Sequence, residues 1–359
     1  MKISFFGSSL VSAYWNGAAT YYRGILRGLS RRGHTVTFYE PDAYDRQRHR
    51  DIDDSPYARV HVFEPSEAGL VRALKSAAGS DVIIKASGMG VLDGMCESWI
   101  LDLKHRDNLI IFWDLDAPAT LDRIDTNRTD PFRCLVPEYD LVFTYGGGEP
   151  VVKAYKSHGA RHCIPIYNGL DPDVHYHVPP NPQFICDLAF MGNRLPDREQ
   201  RVEEFFVKPA TLLPHRRFLL GGNGWQSGQL PCNVSCLGHV YTREHNAFNC
   251  TPLAVLNVNR ESMARYGHSP ATRVFEAAGA GACIITDQWE GVNSFFEPED
   301  EWLIATSGDE VAQRLEALSP ERARVIGLAA QKRALAEHTY TQRAQLVEDA
   351  LEMVKPCEL

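Results

Sequence analysis

The sequence lacks an excess of positive charge and a long apolar run. Among its 359 residues, 37 lysines and arginines stand against 46 aspartates and glutamates, for a net charge of −9. A surface that wraps nucleic acid needs a large basic patch, so nucleic acid is not an expected partner, whereas a small anion held by a few arginines is compatible. No apolar stretch approaches the ~20 residues that span a bilayer, and residues 1–15 do not resemble a secretory signal. We expect a cytoplasmic protein without a transmembrane segment.

A paired cysteine framework is also absent. The nine cysteines are odd in number and scattered, which does not suit a disulfide-stabilised secreted domain. One cluster of potential metal ligands has spacings that fit no usual zinc ribbon or finger; it consists of Cys232, Cys236, His239, His245 and Cys250. We expect a reduced protein that holds no metal.

The chain is long enough for two hydrophobic cores. Its start alternates between two periods: a short apolar run at Ile3–Gly7, a helical pattern that ends near Gly33, and a second apolar run at Thr35–Asp42. Such strand–helix–strand units build parallel sheets, with ligands at the carboxyl ends of the strands. The sequence therefore predicts an α/β protein.

Further apolar runs of strand length continue this pattern in both halves of the chain. They are Asp81–Ser87, Leu109–Pro118, Asp140–Gly148, Cys186–Asn193, Arg216–Trp225, Val234–Tyr241, Pro252–Asn259 and Ala282–Asp287. Four prolines between Pro172 and Pro182 predict a linker. We expect two Rossmann-like, doubly wound domains at residues 1–175 and 183–339 that face a cleft, with a helix near 340–359 packing back on the first. Ligand sites favour such domain interfaces.

The segment Ser269–Asp287 has the form of a capped helix followed by a strand. Ser269 suits the N-cap, Pro270 the first helical position, and the helix is expected to end near Gly279 or Gly281. The free N–H groups and the positive dipole end of such a helix attract anions.

Glu276 lies one turn into this predicted helix, ~6 Å beyond its start. Its side chain tilts back toward the N-terminus, where the carboxylate would accept hydrogen bonds from the vicinal hydroxyls of a ribose. The alternative is an ordinary ion pair between Arg273 and Glu276 at helical spacing, which would contribute only a few tenths of a kcal/mol, roughly.

Six segments, taken in order, resemble the landmarks of one enzyme family. They are FFGSSLVSAYWNGAAT, PIYNGLDPDVH, LAFMGNR, FLLGGNGW, CLGHVYTREHNAFN and RVFEAAGAGACIITD. Together they resemble the GT-B glycosyltransferases of the group 1 type, and in detail the CgeB-like, spore-protein-type branch. The resemblance covers almost the whole chain.

The resemblance implies a metal-independent transferase that moves a sugar from a nucleotide-diphospho sugar, UDP- or dTDP-linked, to an acceptor hydroxyl or similar nucleophile. It implies no cofactor beyond this co-substrate, and the acceptor stays open among small molecules, glycans and proteins. Glu276 would hold the donor ribose. The residues implied around the diphosphate are Asn16, Gly17, Gly192, Asn193, Arg194, Ser269, Thr272 and Arg273.

One position departs from the family pattern. Retaining relatives carry a second glutamate eight positions before the ribose glutamate, and His268 stands there in this chain. Glu261, further upstream, would replace it if the loop folds back. A retaining hexosyltransferase is favoured, and the residue that contacts the sugar is left open between these two.

Two acids and one histidine complete the candidates. Asp114 and Asp116 follow an apolar strand, where catalytic residues of such sheets lie. They would act as a general base, as a contact to the acceptor, or as structural acids that hold the next loop. His239, at another strand end, would contact the nucleotide base or pack as a loop residue.

Two other functions fit parts of the pattern. A sugar-nucleotide epimerase would use the same cleft without a second substrate. A non-catalytic sugar-binding module of a spore or cell surface would explain the missing glutamate, but the retained Glu276 argues against it.

Overall fold

The computed structural model describes residues 1–14, 16–53, 55–225 and 230–355. The chain forms two compact units, Met1–Asn168 with Tyr340–Leu359, and Gly169–Thr339. Each unit contains one parallel sheet flanked by helices. The prediction of two Rossmann-like, doubly wound halves is confirmed. Cys357 and the end of the predicted helix 340–359 lie outside the described residues.

The sheet of the first unit has seven parallel strands. They are β1 (Lys2–Phe6), β2 (Thr35–Pro41), β3 (Arg59–Phe63), β4 (Val82–Ala86), β5 (Leu109–Asp114), β6 (Leu141–Thr144) and β7 (Cys163–Pro165). Their order is β3-β2-β1-β4-β5-β6-β7, so the winding direction reverses between β1 and β4. Ligands of open α/β sheets bind at such a reversal, beyond the carboxyl ends of the strands.

Helices cover both faces of this sheet, so its central strands are apolar on both faces. All six residues of β5 are buried, as expected for a parallel strand. The helices are α1 (Ala19–Arg31), α2 (Glu67–Ala77), α3 (Asp93–Trp99), α4 (Ala117–Thr126), α5 (Pro131–Leu135) and α6 (Gly148–Ser157). Helix α1 ends as predicted, with Gly33 in the left-handed region at φ 86°.

The sheet of the second unit has six parallel strands. They are β8 (Leu188–Met191), β9 (Phe218–Gly221), β10 (Val234–Gly238), β11 (Ala254–Asn257), β12 (Ile284–Asp287) and β13 (Leu303–Ala305). The order β10-β9-β8-β11-β12-β13 places the reversal between β8 and β11.

The helices of the second unit follow the same alternating pattern. They are α7 (Pro196–Val202), α8 (Lys208–Leu212), α9 (His245–Cys250), α10 (Glu261–Tyr266), α11 (Thr272–Gly279), α12 (Gly308–Ala317) and α13 (Pro320–Glu337). A π-helical turn at Glu203–Val207 joins α7 to α8. Within the described ranges, none of the helices is long and apolar enough to cross a membrane.

The last helix, α14 (Tyr340–Val354), belongs to the first unit and packs along α1. The Tyr340 ring meets the Tyr21 ring edge-on, with centroids 6.0 Å apart. At the far end of the pair, His34 Nε2 lies 2.9 Å from a carboxylate oxygen of Glu348. The contact depends on Gly24, because a Cβ there would lie 2.2 Å from Cδ2 of Tyr340.

Gly24→Ala is therefore expected to destabilise the protein. Alanine favours a helix by about 1 kcal/mol over glycine, but the overpacked ring should cost about 1–3 kcal/mol more than that gain. Urea denaturation measures the difference. The control is Gly94→Ala in α3, where a Cβ meets no atom within 4 Å and stability should be unchanged or slightly higher. Equal stability of the Gly24 variant and the native protein would contradict the α1–α14 contact.

Candidate functional site

Backbone contacts between glycines join the ends of three neighbouring strands of the second unit. Gly192 N donates to Gly221 O at 2.9 Å, and Gly222 N donates to Gly238 O at 2.6 Å. Gly222 has φ +116°, and a Cβ there would lie 2.3 Å from Gly192 O. The loops after β8, β9 and β10 therefore meet at the carboxyl edge of the sheet, beside the reversal of winding.

The two residues after Gly192 are fixed by the neighbouring loop. Asn223 N donates to Asn193 Oδ1 at 3.0 Å, and Arg194 N donates to Asn223 O at 2.9 Å. The Arg194 guanidinium forms an ion pair with Glu199. The side chains predicted at the diphosphate are thus present at this edge, and Arg194 carries a carboxylate partner.

Two further guanidinium groups lie over Gly192. A Cβ at Gly192 would lie 2.8 Å from Arg198 Nη1 and 3.1 Å from Arg273 Nη2. The guanidinium groups of Arg198 and Arg273 therefore both lie against the backbone of Gly192. Arg273 was among the predicted residues, whereas Arg198 was not; the available signal was the charged helix start that directly follows the β8 loop.

Arg273 is a cation that forms no ion pair with a carboxylate of the described residues. Its Nε and Nη1 atoms are buried and have no hydrogen-bond partner among the described residues. The guanidinium carbon lies 5.0 Å from the centroid of the Phe190 ring, a geometry that attracts a cation to the ring face. Burial, and then the charge of Arg198, lower the pKa of Arg273 to about 9. An anion placed over Gly192 would supply the missing acceptors.

The alternative ion pair between Arg273 and Glu276 does not form among the described residues. Glu276 is 8% exposed, and its Oε1 lies 3.5 Å from Nε2 of His175. His175 is only 4% exposed, although it lies in the proline-rich segment that the sequence predicts as a linker. The cause is Gly279, where a Cβ would lie 2.9 Å from the His175 carbonyl oxygen and would hold the segment away from α11.

The start of α11 differs from the prediction. The helix begins at Thr272, and its N-cap residue Ala271 provides no side-chain cap. Ser269 is not the N-cap, because its hydroxyl donates to Gly267 O at 2.8 Å in the preceding loop. Pro270 precedes the helix. A helix start that lacks a capping side chain presents its N–H groups to a ligand.

The histidines near this edge differ in burial. His239 follows β10 with an exposed ring that meets the Tyr241 ring edge-on, at a centroid distance of 4.7 Å. Burial lowers the pKa of His245, and the charge of Glu276 and a hydrogen bond to the Val240 backbone partly oppose this shift. His177 is exposed, and its Nδ1 lies 3.0 Å from Ala280 O.

The two candidates for the sugar contact are held by different partners. His268 has φ 42°, and its N–H donates to Glu290 O at 2.6 Å. Glu261 opens α10, and its Oε2 accepts from Arg201 Nη1 at 2.9 Å. Arg201 also donates to the buried Asp287 at 2.6 Å, so Glu261 belongs to an ion-pair network at the ends of α7 and β12.

Within the residues that the structure describes, no group of three His, Cys, Asp or Glu side chains is arranged to hold a metal ion. The cysteines and histidines between Cys232 and Cys250 are among these described residues.

Comparisons with known proteins give a family match to part of the chain and structural matches to nearly all of it. Residues 198–349 match the model of a family described as glycosyl transferase-like. Sucrose-phosphate synthase from Thermosynechococcus elongatus is similar with a TM-score of 0.73 at 15% identity, over 99% of both chains. Anabaena HepE in complex with UDP-glucose gives 0.66 at 16% identity, over 98% of this chain and 100% of that one. T4 phage BGT in complex with its UDP-glucose substrate gives 0.57 at 13% identity, over the whole of both chains. No curated protein sequence matches the chain significantly.

The chain has the GT-B fold. The fold assignment made from the six sequence segments is thereby confirmed, and the CgeB-like branch stays a prediction.

The first unit of this GT-B fold has its own pocket at the carboxyl ends of β1, β4 and β5, with a volume of about 440 Å³. Asn16 borders it, but its side chain serves the loop: Nδ2 donates to Ser9 O at 2.8 Å and to Ser12 O at 2.9 Å, and Oδ1 accepts from Ser8. Asn16 thus has no amide donor left for a phosphate. Gly17 lies exposed beside it.

Asp114 is fully buried at the end of β5. Its carboxylate accepts from three hydroxyl groups and one backbone N–H: Ser87 at 2.8 Å, Thr120 at 3.0 Å, Tyr155 at 2.5 Å and Asp116 N at 3.1 Å. Burial raises the pKa of Asp114. Four donors leave little room for a substrate proton, so the geometry favours the structural role among the three that the sequence left open.

Asp116 has the opposite setting. It occupies the cap position of α4 without a side-chain cap bond, is half-buried and lines the pocket of the first unit. Of the two acids, Asp116 is the one that a bound molecule would reach.

Proposed function

We propose that the protein is a glycosyltransferase that transfers a sugar from a nucleotide-diphospho sugar. The main support is the pair of guanidinium groups, Arg198 and Arg273, beside Gly192. Among the described residues, Arg273 forms no ion pair with a carboxylate. The pair lies at the carboxyl edge of a GT-B sheet, and two proteins of similar fold were solved with UDP-glucose. The glycosyl transferase-like match at residues 198–349 supports the same activity.

The proposed roles follow from charge and position. The donor diphosphate lies over Gly192, on Arg198, Arg273 and the start of α11, and Glu276 accepts from the ribose hydroxyls. As the sugar leaves, charge grows on the diphosphate, and fixed cations and N–H groups stabilise that charge without reorganising. Supporting positions are Asn193, Arg194, Thr272 and His239, the last toward the base.

Finer assignments rest on the sequence resemblance. They are a UDP- or dTDP-hexose donor, transfer with retention of configuration, action without a metal and membership of the CgeB-like branch. A cytoplasmic location is proposed on the scattered, odd-numbered cysteines instead. His268 and Glu261 are the proposed residues on the sugar side, and Asp116 is the proposed base or acceptor contact. Incubation with the donor alone should give no new sugar nucleotide, which separates transfer from epimerisation.

The test of the donor site is calorimetric titration of Glu276→Ala with UDP. Loss of hydrogen bonds from two ribose hydroxyls to a carboxylate should weaken binding by roughly tenfold or more. The matched control is Glu321→Ala, an exposed residue of α13, which should bind like the native protein. A thermal-shift panel of UDP, dTDP, GDP and ADP should precede it, because a ligand that binds the folded state raises the unfolding temperature. Unchanged affinity in the Glu276 variant would refute its role.

A further inference from the structure

The pocket of the first unit contains a buried cation, Arg46, that forms no ion pair with any described residue. Arg46 opens a helical turn at Arg46–His49 after β2 and is 7% exposed. Its Nη1 donates to Ser8 O at 3.2 Å and, weakly, to Met89 O at 3.5 Å. Its Nε has no hydrogen-bond partner, and no ion pair includes Arg46, among the described residues.

The pocket is also lined by Asp93, Glu97, Asp116 and Arg123. Lys85 donates to Asp93 at 2.5 Å, and Arg123 lies 3.4 Å from the Glu97 carboxylate. The carboxylate of the neighbouring buried Glu40 accepts hydrogen bonds from the Ser9 hydroxyl, the Leu10 N–H and the Gln47 amide. Among the described residues, the unpaired cation of the pocket is therefore Arg46, and burial lowers its pKa.

The second donor beside Arg46 is the Tyr22 hydroxyl. The Tyr22 side chain is 1% exposed, and its hydroxyl, which lies near Ser8, makes no well-formed hydrogen bond to a described residue. Burial raises the pKa of Tyr22, which keeps the hydroxyl protonated. Tyr22 and Arg46 line the same pocket.

The start of α1 is a third feature that favours a negatively charged group. Its N-cap residue Ala18 provides no side-chain cap, and its first turn contains no acid. Gly17 and Ala18 line the pocket together with Arg46. The positive end of the helix dipole thus faces the region of the unpaired guanidinium.

A buried polar group without a partner destabilises a fold unless a ligand completes it. A guanidinium binds carboxylates and phosphates through two parallel hydrogen bonds, which suits the free Nε edge of Arg46. A hydroxyl donor and a helix start of positive potential complement the same negative group.

We propose that this pocket binds an anionic group, a carboxylate or a phosphate ester, through Arg46, the Tyr22 hydroxyl and the start of α1. Given the transferase activity proposed above, the anion belongs to the acceptor. The acceptor is then a molecule that carries both a nucleophile and a negative charge. The anion site itself does not depend on that activity.

The experiment titrates inorganic phosphate into the full-length protein saturated with UDP, so that the donor diphosphate site is filled. Native protein whose donor site is filled with UDP should still bind phosphate. Arg46→Gln should weaken phosphate binding by roughly tenfold or more, whereas Arg198→Gln, at the donor site, should leave it unchanged. Acetate titrated in parallel separates the two ligand sources: tighter phosphate indicates a phosphate ester, and tighter acetate a carboxylate.

Tyr22→Phe is a second variant that tests the same site if Arg46→Gln fails to fold. Because the deleted hydroxyl makes no well-formed hydrogen bond to a described residue, thermal unfolding should occur at the same or a higher temperature, while phosphate affinity falls by roughly three- to tenfold. The proposal is overturned if native protein fails to bind phosphate, if UDP abolishes the binding, or if Arg46→Gln and Tyr22→Phe bind like native protein. Failure of UDP to bind would reject the donor proposal alone, because the phosphate comparison is read without UDP as well.

Discussion

Replacement of Arg273 by methionine is expected to stabilise the ligand-free protein and to remove most of its affinity for a nucleoside diphosphate. The side chain keeps its volume and its contact with Phe190, while a buried charge that forms no ion pair with a described carboxylate disappears. Apolar replacement of buried ionic groups has raised stability by about 1–4 kcal/mol elsewhere. Loss of two charge-assisted hydrogen bonds should weaken UDP binding by roughly 100-fold. Chemical denaturation and calorimetric titration of the same preparation measure both effects.

The control is Arg324→Met on the exposed side of α13, which should change neither quantity appreciably. Arg273→Lys should lie between native protein and Arg273→Met in affinity, because it restores the charge without the planar fork. A variant that loses stability and keeps its affinity would show that Arg273 serves the fold rather than an anion.

The second large effect is expected at Asp114. Asp114→Ala removes the common acceptor of three hydroxyl groups and one backbone N–H, all of them buried or half-buried. Leaving these donors without a partner should destabilise the protein by about 3–5 kcal/mol. Asp114→Asn retains one oxygen and should recover part of the loss. Urea denaturation measures these differences.

The same variants decide between the roles of the two acids. Asp116→Ala should change stability by less than about 1 kcal/mol, because its side chain is half-buried in the pocket wall. If Asp114→Ala were as stable as native protein but inactive in sugar transfer, Asp114 would be a base and the structural assignment would fail.

Much of the fold could be predicted because its strands are short apolar runs that end in glycine or an acid. All six residues of β5 are buried, and the run ends at Asp114. Strand β3 was not predicted, because it lies at the sheet edge and its residues Arg59 and Val62 are exposed. Strand β13, with three residues, is too short to show a period.

Predicted site residues lie close together in the structure where the signal is local in sequence. Gly192, Arg273 and Glu276 come together in the second unit from a turn and a helix that the pattern indicated. The partner of each group was not predictable: an arginine three residues before a glutamate suggests a pair, yet Arg273 turns to Phe190 and Glu276 to His175. Those choices depend on residues far apart in sequence.

The helix start shows the limit of a cap motif. Serine followed by proline suits the first helical positions, but it also suits an extended turn. Ser269 donates to Gly267 O, whose residue is at φ +68°, and this local bond competes with capping. The helix therefore begins later, at Thr272.

The return of α14 to the first unit has a kinetic consequence. Arg32 and Glu348 form an ion pair across 316 positions of sequence, and closing a loop over the unfolded second unit costs roughly 4–5 kcal/mol of chain entropy. Once that unit is folded, its two ends are already adjacent, since Leu170 N donates to His338 O at 2.7 Å. The intervening chain then acts as a short connector. Assembly should thus follow an obligatory order, in which the inserted unit folds first and delivers α14 to its groove on α1.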